Sequence, residues 1–77
     1  MELKQLRSFA ATAQLNSISK AAKKLKIGQP TVTTHIQQLE SELEIILFDR
    51  VRRPIVLTEE GKAFANTVIE LVESIDN

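Results

Sequence analysis

Cysteine, tryptophan and tyrosine are absent from this chain of 77 residues, and histidine occurs once. Without thiols neither a disulfide framework nor a thiolate metal site can form, and the lone His35 leaves too few strong ligands for a catalytic zinc. Gly28 and Gly61 are the only glycines, too sparse for a phosphate-cradling loop. With carboxylates on what read as solvated helix faces, this inventory speaks against an enzyme, and neither cofactor nor metal is expected. No apolar run approaches a membrane span, and the alternation of Glu2, Lys4 and Arg7 is unlike a secretory leader. The expectation is a soluble protein of the cytoplasm.

A surplus of either charge is missing too, with ten basic and ten acidic residues. The distribution, however, is uneven. Lys4, Arg7, Lys20, Lys23, Lys24 and Lys26 face only Glu2 in the first 27 residues, whereas residues 28–49 carry Glu40, Glu42, Glu44 and Asp49 and no basic side chain. Arg50, Arg52 and Arg53 follow, and the last stretch is acidic again. Attraction to phosphate is felt over about a Debye length, roughly 8 Å at physiological salt, so local clusters matter more than the total.

What is present is helical periodicity and enough apolar residues, 43%, for one small core. Leu6, Phe9, Ala10 and Ala13 predict a first helix over about Leu3 to Leu15, ended by Asn16-Ser17. Ser17 or Ser19 can cap a second helix with Ala21, Ala22 and Leu25 inward and Lys20, Lys23 and Lys24 elsewhere. Lys26-Ile27-Gly28 makes a turn in which Ile27 plugs the angle and Gly28 supplies backbone freedom. In a third helix, about 29–43, Val32, Ile36, Leu39 and Leu43 recur at steps of four, three and four and form a buried stripe. Its opposite face holds Pro30, Thr34, Gln37 and Ser41, flanked by Thr31, Thr33 and Gln38. These are small hydrogen-bonding groups on a rod slim enough for the major groove of B-DNA. His35, at the margin of the stripe, reads as a packed or backbone-bonded histidine rather than a DNA contact.

The helical period fails after Leu43. Ile45 to Phe48 and Ile55 to Leu57, around the tip Val51-Arg52-Arg53, predict a small two-stranded hairpin, a wing, with Pro54 harmless at the start of its second strand. Thr58 caps a last helix with Glu59 and Glu60 in its first turn, where the dipole favours negative charge. There Phe64, Val68, Leu71 and Ile75 recur at helical spacing, and Ala65, Ile69 and Val72 widen the stripe. The width favours dimerisation over packing on one small domain alone.

Several blocks in order resemble the N-terminal domain of the LysR-type transcriptional regulators of bacteria. They are Leu3 to Phe9, Ser17 to Ala22, Gln29 to Thr33, Leu39-Glu40, Leu47 to Arg50 and Leu57 to Gly61. The resemblance implies a mainly α, winged helix-turn-helix fold: a three-helix core, a short two-stranded β wing and a long C-terminal linker helix. The division expected is 1–58 for DNA binding and 59–77 for the start of the linker and dimerisation helix. It also implies a homodimer, or a tetramer at full length, on a partly palindromic double-stranded operator. A small-molecule effector is expected only for a C-terminal domain that this fragment lacks.

By the same resemblance Gln29, Pro30, Thr33 and Thr34 lie nearest the bases, with Thr31 and Gln37 beside them. Gln29 suits adenine and Pro30 a thymine methyl. Ser17 and Lys20 are candidates for phosphate. Arg50 is either a DNA contact or the partner of a carboxylate such as Asp49 or of a helix end. Arg52 and Arg53 are candidates for the minor groove, Arg53 preferred. Phe64, Val68, Leu71 and Ile75 form the expected dimer interface. Three positions depart from the family pattern: Thr34, often arginine; Gly28, often a capping serine; and Glu44, where a glycine usually ends the third helix. Glu44 must then be strained or the helix end reshaped. The competing reading is a winged helix that binds protein instead of DNA.

Overall fold

The computed structural model describes residues 1–76. Its elements are α1 (Leu3–Leu15), α2 (Ile18–Leu25), α3 (Gln29–Leu43), β1 (Phe48–Asp49), β2 (Val56–Leu57) and α4 (Glu59–Asp76). Helix α1 is central, packing on α2, α3 and α4. The strands pair antiparallel, Phe48 opposite Leu57 and Asp49 opposite Val56, and form a shorter wing than the apolar runs imply. Ile45 and Ile46 lie outside the strands, and Ile46 is exposed.

Phe9 is the hub of the core. Its fully buried ring meets Phe48 edge-on at 5.5 Å and Phe64 at 5.2 Å, tying α1 to the wing and to α4. Aromatic contacts of this kind add about 0.5–1.5 kcal/mol beyond area burial. Val32, Ile36 and Leu39 close the core from α3, with Leu43 partly buried at its end. Ala21 and Ala22 allow α2 a close approach. Ser17 caps α2, its Oγ accepting from Lys20 N at 3.0 Å.

All of α1, α2 and α3 end on a residue in the left-handed region: Asn16 (φ 53°), Lys26 (φ 60°) and Glu44 (φ 57°). The turn between α2 and α3 therefore takes its sharp bend at Lys26. Gly28 has φ −77° and serves as the N-cap of α3 without using its freedom, and Ile27 remains exposed rather than plugging the angle. Asparagine tolerates the left-handed region through its short polar side chain, whereas lysine and glutamate do not. The strained form of the Glu44 helix end is the one adopted. Gly61 is required for a different reason: a Cβ there would collide with the Leu47 carbonyl. That close approach lets Thr58 cap α4, accepting from Gly61 N at 3.0 Å while donating to Ile46 O at 2.6 Å.

Relief of the strain at the end of α3 gives a direct test. Glu44→Gly raises stability by about 1 kcal/mol, a gain of roughly 4–8 °C in melting temperature for a domain of this size. Thermal unfolding followed by circular dichroism measures it, and an unchanged or lowered midpoint rejects the strain.

Candidate nucleic-acid interface

Because Val32, Ile36 and Leu39 turn inward, Gln29, Pro30, Thr31, Thr34, Gln37, Gln38 and Ser41 are left exposed, with Thr33 half-buried among them. Gln29, Pro30, Thr33 and Thr34 border a shallow concavity at the N-terminal end of α3. Thr33 also borders a larger groove, together with Gln37, the start of α2 (Asn16, Ser17, Ile18, Lys20) and the wing (Arg50, Arg53, Pro54). One surface thus runs from the first turn of α3 to the wing. It offers hydroxyls, amides, the exposed Lys20, the arginines and the free first-turn amides of α2, a set suited to phosphate and base edges. Among the described residues no carboxylate lines either concavity. Acid collects elsewhere, around Glu40, Glu44 and Glu60 where α3 ends beside Thr58.

The wing is held to α3 by a carboxylate that periodicity alone does not single out. Glu40 is 8% exposed. It pairs with Arg50 through both oxygens, Nη2 to Oε1 at 2.9 Å and Nη1 to Oε2 at 3.1 Å. Oε2 also accepts from Leu47 N at 2.7 Å. Asp49 is not the partner of Arg50; it accepts from Val51 N at 3.0 Å and lies 3.9 Å from Arg52. Arg50 borders the groove with its guanidinium committed to Glu40, which weakens its candidacy as a DNA contact. Its carbonyl in turn accepts from Arg53 Nη1 at 2.6 Å, and Arg52 O does so at 3.1 Å. Arg53 is braced within the groove, whereas the Arg52 side chain is 71% exposed.

A polar seam on α1 also escaped the apolar pattern. Gln5, Ser8 and Thr12 are buried at helical spacing. Gln5 Nε2 donates to Gln38 Oε1 at 2.9 Å, and Ser8 Oγ lies 2.6 Å from His35 Nδ1. The bond of His35 is therefore to a side chain, not to backbone. The 5, 8, 12 spacing, next to the apolar row 6, 9, 10, 13, was the available signal for this seam. For Glu40 the signal was its position one turn after Ile36.

The row expected at a dimer interface divides. Val68 is 2% exposed, inside the domain's own core, and Phe64 is half-buried against Phe9. Leu71 and Ile75 are 46% and 51% exposed. No helix among the described residues is long and apolar enough to cross a membrane.

A three-helix core with a helix-turn-helix and a two-stranded wing defines the winged helix-turn-helix class. Residues 3–62 match the family of bacterial regulatory helix-turn-helix proteins of the lysR type. The chain belongs to the LysR family. It is 45% identical over 76 residues to the transcriptional regulator BenM of Acinetobacter baylyi, covering 99% of this chain and 25% of BenM. It is 40% identical over 77 residues to CitR of Bacillus subtilis, covering all of this chain and 26% of CitR. The chain thus spans about a quarter of the length of these relatives. Among solved structures, the BenM DNA-binding domain in complex with benA site 1 DNA superposes with a TM-score of 0.92 at 45% identity, covering 99% of this chain and 85% of that one. The CbnR DNA-binding domain in its DNA complex gives 0.89 at 37% identity, covering 99% and 87%.

The brace on the wing can be removed. Glu40→Ala leaves the Leu47 amide without its acceptor and Arg50 without its partner, and costs about 2–4 kcal/mol in urea unfolding. In a double-mutant cycle Arg50→Ala then adds less than its separate cost. A loss below about 0.5 kcal/mol for Glu40→Ala contradicts the role given to this carboxylate.

Proposed function

We propose that the chain is the sequence-specific DNA-binding part of a bacterial LysR-type transcription regulator, working in the cytoplasm without chemistry of its own. Residues 1–58 read the duplex and 59–77 begin the linker and dimerisation helix. The observation that carries this reading is the surface from Gln29 to Arg53, which brings hydroxyls, amides and cations together and is lined by no carboxylate among the described residues. Relatives with this fold and 37–45% identity that were solved on DNA support it.

Helix α3 enters the major groove. Gln29 pairs with adenine, Pro30 packs on a thymine methyl, and Thr31, Thr33, Thr34 and Gln37 reach base edges or adjoining phosphates. Ser17 keeps a hydroxyl proton to donate, since its Oγ only accepts within α2, and Lys20 adds charge beside it. Arg53 enters the minor groove, where narrow A·T tracts concentrate negative potential. Its brace through Nη1 fixes the side chain in advance, and Nε and Nη2 bond to nothing among the described residues. Small polar side chains at the recognition face give a protein partner little apolar surface to bury, so nothing favours the protein-binding alternative.

Selection of bound duplexes from a random pool tests this. The chain recovers one partly palindromic sequence over scrambled competitor, and binding falls steeply with salt. Gln29→Ala relaxes one base position at about 1–3 kcal/mol, whereas Arg53→Ala weakens binding most on A·T-rich flanks. Absence of selection at low salt sinks the proposal, and uniform weakening by both variants means that the reading surface is elsewhere.

Dimerisation rests on the outer part of α4. Leu71 and Ile75 expose an apolar strip that the domain leaves uncovered. Two copies paired there present two α3 helices to two half-sites. Sedimentation at rising concentration shows a monomer–dimer equilibrium that Leu71→Glu with Ile75→Glu abolishes. A strict monomer at high concentration removes the claim for this chain.

A further inference from the structure

Helix α3 has two flanks. On one, Thr33 and Gln37 merge into the groove shared with α2 and the wing. On the other, Pro30, Thr31, Thr34, His35 and Gln38 border a second shallow concavity. Behind it stands α1, joined to α3 by the Gln5–Gln38 and Ser8–His35 hydrogen bonds. A helix in the major groove has a phosphate strand on either side. The α2 side supplies Ser17 and Lys20 for one strand, and the flank of α3 turned toward the other is the one that carries His35.

The tautomer of His35 is set by its partner. Ser8 is fully buried, and among the described residues its hydroxyl has His35 Nδ1 as its one partner, at 2.6 Å. A buried hydroxyl spends its proton where an acceptor exists, so Ser8 donates to Nδ1 and the ring proton sits on Nε2. Nε2 bonds to nothing among the described residues. No buried side-chain nitrogen or oxygen lacks a partner there, so Nε2 reaches solvent. The half-buried ring is therefore pinned along one edge by α1 and presents a fixed N–H donor along the other, with the Thr31 hydroxyl and the Gln38 amide beside it.

We propose that His35 is a phosphate-binding residue: Nε2–H donates to a phosphate oxygen of the strand opposite the one met by Ser17 and Lys20, with Ser8 as its positioning residue. The proposal rests on the reading that α3 enters the major groove. The contact positions α3 between the two strands and carries no sequence information, because phosphate is the same at every step.

The test uses the duplex recovered by selection, an unrelated duplex, and versions of the first in which single phosphates are replaced by neutral methylphosphonates. His35→Phe, which keeps the ring and removes the donor, weakens binding about tenfold on both duplexes, as expected for a lost hydrogen bond to a charged acceptor. His35→Gln, whose amide places a donor near the Nε2 position, stays within about threefold of the parent chain. Ser8→Ala falls between them while leaving the selected sequence unchanged. One methylphosphonate on the opposite strand weakens the parent chain and erases its advantage over His35→Phe. Equal binding by the parent chain and His35→Phe overturns the proposal, as does a deficit that no neutral linkage removes. A scan of the parent chain that finds no sensitive phosphate on that strand overturns it without any variant. Failure of the parent chain to select any duplex is a separate result, since that removes the DNA-binding reading itself.

Discussion

The buried carboxylate of Glu40 is the constraint that sets the wing against α3. A wing of two residues per strand has too few backbone hydrogen bonds to hold its own orientation. Its position relative to α3 is set by a side chain of α3 that accepts from the first wing amides and grips Arg50 in a bidentate pair. From Arg50 the brace continues through its carbonyl to Arg53. A charge placed at 8% exposure is costly unless it is paired and hydrogen-bonded, and here Oε1 accepts from the Arg50 guanidinium and Oε2 from the guanidinium and two amides. Replacing the pair by apolar side chains could preserve stability. It could not keep the same directional hold on the wing, because packing contacts lack the angular preference of a forked ion pair.

Net neutrality conceals a strongly polar surface. Cations gather on α2 and the wing, and acids gather where α3 ends and α4 begins. Two of the α4 carboxylates, Glu59 and Glu60, sit in its first turn, where the dipole favours them. Such a molecule approaches a polyanion with a preferred orientation even though its total charge is zero. The cost is borne partly in helix ends: Lys26 and Glu44 occupy left-handed positions where glycine would be relaxed, yet each adds to the charge of its own side.

The main helices were legible because their apolar rows follow the helical period so closely. Periodicity placed α1 and α3 at the bounds the structure shows, and the order of small motifs implied the family. What it did not show were polar residues inside. Glu40 counted as a solvated acid because a charged side chain is rarely buried, and only its unpaired neighbours, the Leu47 amide and Arg50, explain its place. The Ser8–His35 and Gln5–Gln38 bonds join residues 27 and 33 positions apart, a pairing that composition and local pattern cannot express. The Gly28 expectation failed for a related reason. The turn needed one left-handed residue, and the hydrogen bond from Ile27 N to Ala22 O places it at Lys26, two residues before the glycine.

Helix α4 carries two loads along its length, and the order in which they fall matters. Its first turns belong to the domain: Gly61 lies against the Leu47 carbonyl, Phe64 against Phe9, and Ala65 and Val68 in the core. Only beyond Val68 does the apolar row emerge, at Leu71 and Ile75, and there Arg7 of α1 reaches Asp76 at 2.6 Å. A row that looks uniform in sequence is thus core for its first half and open surface for its second. Any partner pairing with the outer half pulls on a rod already fixed to Phe9, and Phe9 also contacts the wing through Phe48. The aromatic trio therefore links the inner part of α4 to the first strand of the wing through packed rings. Helix α3 is packed on α1 and joined to the same wing through Glu40, so the wing is fixed from both sides.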